Sequence, residues 1–171
     1  MPTTQEFTGA LVNGAVLGAL TTALAFASPR WTRHILAAVL VVAALAYVVF
    51  AWNAGESPRW LLLELAGVAV YGGMAVRGVR GSAWWLVAGW TLHPLWDAAL
   101  HYFGPGGGFA PTWWTVPCIS WDLVTAAWVA FRIVRPSPRS AATADMAGAV
   151  VRPAPSESRS ASRSATRMAV E

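Results

Sequence analysis

His93, Asp97 and His101 follow one another at four-residue intervals, while Asn13, Glu64 and Asp122 stand in other stretches that are otherwise nearly free of polar side chains. A carboxylate between two imidazoles can orient each ring and stabilise its charged form, which is the chemistry of a proton relay. On a helix, steps of four keep the three groups along one face, drifting about 40° per step, and set the two rings about 12 Å apart along the axis. A single metal ion cannot reach both rings, since its ligands lie only about 2 Å from it. No cofactor is therefore expected; a divalent metal held by one histidine with Asp97, plus Asp122 or Glu64, is the lesser alternative. In the catalytic set expected here, Asp97 and Asp122 share proton transfer, His93 and His101 relay it, and Glu64 stands beside them. Trp90, Trp96 and Trp121 flank these groups, and an indole face can stabilise a cation by up to about 2 kcal/mol when desolvated. Together with Asn13 they form the expected substrate-binding set.

Such groups need a scaffold, and the composition says which kind. Of 171 residues, 56% are apolar and only 12% are charged, more apolar surface than a water-soluble domain of that length can hide. Residues Ile35 to Trp52 carry no acidic, basic or histidine side chain, enough chain to cross a hydrocarbon layer roughly 30 Å thick. Five such spans are expected: Phe7 to Ala27, His34 to Trp52, Trp60 to Val76, Ala83 to Phe103 and Trp113 to Val134. Backbone groups in lipid must be bonded within the segment, so the fold class is all-α, a polytopic membrane helix bundle. Gly14 and Gly18, with Ala10 one turn earlier, give the first span a small-residue face for close helix packing. Ala25-Phe26-Ala27 has the residues of a leader cleavage site, but Glu6 and the absence of a positive N-terminal region favour a retained helix. Pro94 removes one helical hydrogen bond and is expected to kink the fourth span near Trp90. Trp31, Trp52, Trp60, Trp113 and Trp114 fall at span ends, where an aromatic belt accounts for them.

Arginines orient the bundle. Arg30 and Arg33 follow the first span, Arg77 and Arg80 the third, and Arg132, Arg135 and Arg139 the fifth. Three basic clusters on one side place the N-terminus outside and the C-terminus in the cytoplasm. On that orientation Asn13, Glu64, His93, Asp97, His101 and Asp122 lie about 3 to 14 Å from the outer ends of their spans, as in a polar pocket opening outward. All twelve basic residues are Arg and the net charge is +4, yet clusters flanking apolar spans report membrane orientation, so no nucleic-acid partner is expected. The single cysteine, Cys118, rules out an internal disulfide. Residues 1–135 form the transmembrane bundle, and the Ser-, Ala-, Arg- and Pro-rich residues 136–171 are expected to be a disordered cytoplasmic tail.

The segment Gly89-Trp90-Thr91-Leu92-His93-Pro94-Leu95-Trp96-Asp97-Ala98-Ala99-Leu100-His101 resembles a signature, Gly-Trp-x-x-His-x-x-Trp-Asp-x-x-x-His, of a family of uncharacterised small bacterial multi-pass membrane proteins. Pro111-Thr112, Cys118 and Asp122 sit where that pattern places its Pro-Thr, Cys and Asp. Pro94 departs from it, as do Ala99-Leu100, where a second histidine adjoins the last. The resemblance implies a shared site and no known activity. The residues themselves point to a membrane-embedded acid–base enzyme, of isomerase, cyclase or hydrolase type, acting on a lipophilic substrate in the cell membrane. A small proton-coupled transporter and a structural or assembly protein are the alternatives.

Overall fold

Thr3 opens the chain's first helix with a capping box: its hydroxyl accepts from the Glu6 N–H at 3.3 Å, and its own N–H donates to the Glu6 carboxylate at 2.8 Å. Residues 2–135 are described by the computed structural model. Residues 136–171, with the expected cytoplasmic tail, lie outside the described residues. The helices are α1 (Thr4–Ala27), α2 (Thr32–Asn53), α3 (Pro58–Arg80), α4 (Trp84–Trp96) and α5 (Thr112–Val134). Pro58 stands at the start of α3, where its missing N–H has no intrahelical partner to lose. Gly55, at φ 68°, turns the chain between α2 and α3. Among the described residues there are five α-helices and no strand.

Helices α1, α2, α3 and α5 are each long and apolar enough to cross a membrane. The fourth span expected from the sequence is not one α-helix. α4 stops at Trp96 and runs directly into a π turn over Asp97–Tyr102, where the Phe103 N–H donates to the Ala98 carbonyl five residues back at 2.9 Å. Pro94, inside α4, has already taken one N–H out of the ladder just before the turn widens. A short 3₁₀ turn, Pro105–Gly108, leads on towards α5. At Gly104 and Gly106 a Cβ would strike the backbone of Ala99 and Leu100, so glycine lets this loop fold tightly under the π turn.

α1 packs on α5, α2 on α3, and α4 lies between α3 and α5 with a flank on α2. The α1–α5 seam follows from the small-residue face. A Cβ on Gly14 would run into the Pro117 carbonyl and the Ser120 hydroxyl, and one on Gly18 would lie 2.8 Å from the Trp121 carbonyl. The Ser120 hydroxyl donates to the Leu11 carbonyl at 2.7 Å across the same seam. Leu36, Leu40, Tyr71, Leu86, Trp90 and Val129 build the apolar core. The outer surface is apolar too: Val12, Val16, Leu20 and Leu24 are exposed along α1, and Val42, Leu62, Val70 and Leu95 on the other helices.

The basic clusters share one end of the bundle. Arg33 donates to the Gly81 carbonyl at 2.7 Å, Arg132 lies over the Phe26 ring, and Arg33, Ser82 and Arg132 border one cleft there. Aromatic contacts tie the opposite end, with Phe7 against Tyr102, Phe50 against Trp113 and Trp114, and Trp60 against Phe109.

Candidate functional site

From mid-bundle towards the end opposite the arginines, three helices and the π turn bring five ionisable side chains inward. Glu64 comes from α3, His93 from α4, Asp97 and His101 from the π turn, and Asp122 from α5; each is at most 2% exposed. Helical spacing explains part of this convergence. Glu64, Gly67, Tyr71 and Ala75 recur at three- and four-residue steps along the inner face of α3, as do Cys118, Asp122 and Thr125 on α5.

Two pairs result. His93 Nδ1 lies 2.7 Å from Asp122 Oδ2, a hydrogen bond that places one proton between ring and carboxylate. The same Nδ1 is 3.5 Å from Asp97 Oδ2, and the ligand atoms of His93, Asp97 and Asp122 all lie within 4.8 Å of one another. His101 Nε2 meets Glu64 Oε1 at 3.0 Å, and its ring stacks on Tyr47 of α2 at 3.8 Å with an interplanar angle of 9°. Asp97 thus does not bridge the two rings as the four-residue spacing suggested. Each histidine takes its own carboxylate from another helix, and the wider π turn carries His101 round towards α3.

Several buried polar atoms are left without a hydrogen-bond partner: both Asp97 carboxylate oxygens, His93 Nε2, His101 Nδ1 and the Tyr47 hydroxyl. His93 Nδ1 approaches Asp97 only to 3.5 Å and is already engaged by Asp122, and an ionised carboxylate so poorly satisfied in a buried site is a high-energy arrangement. Asp97 therefore calls for a proton or a cation.

The site is closed, where the sequence suggested a pocket open to the outside. Gly106 and Phe109 pack against the His101 ring from the loop side, and Tyr47 covers its face. A narrow void with no room for a water molecule lies among Tyr47, Glu64, Tyr71, His93 and Trp96. Of the three tryptophans expected beside the site, Trp96 borders this void and stands over Gly67. Trp90 is wholly buried in the apolar core, and Trp121 packs partly buried at its edge. Asn13 is on the exposed side of α1, one residue from the Gly14 seam, and the fold does not bring it to the cluster. Tyr47 and Tyr71 were missed by sequence reasoning. Tyr71 donates to the Leu92 carbonyl at 3.3 Å and meets the His93 ring edge-on at 5.0 Å. Both are phenols deep within apolar spans, away from the belt positions where tyrosine is expected, and that placement is a usable signal.

The class so defined is a small all-helical protein with helices of membrane-crossing length around a buried histidine–carboxylate cluster. Within that class the chain belongs to a family of unknown function, DUF6010, whose profile matches residues 9–135 and so takes in every residue of the cluster. No curated protein and no solved structure matches the chain.

Proposed function

We propose that the protein is a multi-pass integral membrane protein and a membrane-embedded acid–base enzyme acting on a lipophilic substrate, with the His93–Asp122 pair as its proton-transfer centre. One observation carries this reading: the usual distribution of polarity is inverted, with aliphatic side chains on the outside and five ionisable ones sealed within. Aliphatic exteriors suit acyl chains. Ionisable groups kept inside such a bundle, at several kcal/mol each by insertion scales, are functional candidates by default. On this reading the π turn extends α4 into a fifth crossing, and the shared arginine end supports an orientation with the N-terminus and the loop at Gly104–Gly108 on the outer face. The segment from Gly89 to Gly104 supplies His93, Asp97 and His101, which supports reading its motif as the functional signature of a bacterial membrane family. Asp97, beside the pair, would take the second proton position, and His101 with Glu64 would hold the neighbouring helices in register. Substrate would enter between helices when the loop over His101 moves aside.

The test uses the full chain in liposomes made from a bacterial lipid extract in D₂O, followed by lipid mass spectrometry. Wild type should consume a lipid species or load it with deuterium, and Asp122→Asn should abolish this while keeping its helix content. No lipid change with the wild type would refute the enzyme.

A structural reading is favoured by the absence of room for even a water molecule beside the cluster. On that reading His93–Asp122 and His101–Glu64 serve to lock α4 and the π turn to α5 and α3. It predicts that Asp122→Asn changes only the unfolding free energy. A carrier is less well supported, because among the described residues no buried ionisable side chain continues the polar path to the arginine end.

A further inference from the structure

We propose that His93 Nδ1, Asp97 and Asp122 form a binding site for one divalent transition-metal ion of the zinc type. The proposal rests on the cluster being the working site; with an ion bound, His93 and Asp122 serve as its ligands instead of sharing a proton. Three features meet at one point. The donor set is one imidazole nitrogen and two carboxylates from α4, the π turn and α5, all within 4.8 Å. Zinc bonds to such ligands at about 2.0–2.2 Å, so tetrahedral neighbours stand about 3.3 Å apart. The His93–Asp97 separation of 3.5 Å already matches this, and the His93–Asp122 separation of 2.7 Å must open slightly as an ion replaces the shared proton.

The second feature is independent of the spacing. Asp97 is 0% exposed and neither of its oxygens has a hydrogen-bond partner, whereas Asp122 is satisfied by His93. A bound cation would supply the missing partner.

The third is charge. Two carboxylates and a neutral imidazole balance a divalent ion, so the three-ligand site becomes neutral overall. The imidazole selects against calcium and magnesium, which prefer all-oxygen shells. Three protein ligands are one short of a tetrahedral zinc shell, and in the closed bundle a fourth ligand would have to enter with the ion. The reading changes the role of His101. It pairs with Glu64 and supports the site without ligating.

The experiment equilibrates the full chain in detergent with zinc, removes excess by desalting, and counts zinc per chain by mass spectrometry. Wild type should hold about one zinc per chain. Asp97→Asn and Asp122→Asn should each lower retention by about tenfold or more. Glu56→Gln, a carboxylate in the turn between α2 and α3 outside the cluster, should keep the wild-type level, and excess magnesium should not displace zinc. Zinc-free wild type, undiminished zinc in Asp97→Asn, or equal loss in Glu56→Gln would each overturn the site. Zinc counting needs no turnover. A zinc-free protein that still converts lipid refutes the metal alone, and a zinc-binding protein inert towards lipid refutes the enzyme alone.

Discussion

Gly14→Ala should weaken the bundle by prying α1 from α5, and the structure sets the size of the effect. The added Cβ would meet the Pro117 carbonyl and the Ser120 hydroxyl, of which the first is backbone and cannot swing aside. Overpacking of a tight contact costs about 1–3 kcal/mol. Any retreat of α1 also stretches the 2.7 Å bond from the Ser120 hydroxyl to the Leu11 carbonyl, worth about 1 kcal/mol. Alanine's better helix propensity returns about 1 kcal/mol. Gly9 isolates that last effect, because it lies on the same helix and a Cβ there meets nothing within 4 Å. Gly9→Ala should thus be neutral or slightly stabilising, and the two variants should differ by about 2–4 kcal/mol. Unfolding by dodecyl sulfate in mixed micelles, followed through the fluorescence of eleven tryptophans, reads this difference directly. If Gly14→Ala unfolds together with Gly9→Ala, the α1–α5 seam is not the close contact described.

Removing either partner of the His101–Glu64 pair leaves a buried group unpaired, so Glu64→Ala and His101→Ala should each destabilise by about 3 kcal/mol. The double variant should cost clearly less than the sum in the same unfolding assay, and strict additivity would show that the 3.0 Å contact carries no coupling. The orientation is tested by placing one cysteine at Gly108 or at Ser82 in a Cys118→Ala background. A membrane-impermeant maleimide added to whole cells should label the first and spare the second. The reverse pattern would invert the bundle.

The scaffold was legible because its causes are local. Charge-free runs long enough for a bilayer placed α1, α2, α3 and α5 to within a few residues of where they are found. Gly14 and Gly18 announced their packing face because an absent side chain has few other uses at that spacing. The site was legible only as a set of residues. Its pairing depends on the π turn, and an i→i+5 step leaves no mark in a pattern read at 3.6 residues per turn. Four-residue spacing alone therefore put Asp97 between His93 and His101. The fold gives each ring a carboxylate from a different helix and leaves Asp97 at a looser 3.5 Å from His93. Asn13 failed for a related reason: depth along a span was readable, but its angle about the α1 axis was already fixed by Gly14 and Gly18, which turn inward and leave Asn13 outside. Angular position, more than depth, decides which polar groups in a helical bundle can meet. The π turn resets that angle within the one segment that bears both Asp97 and His101, so a substitution that restored regular α-helix there should separate the two pairs without altering any residue in them.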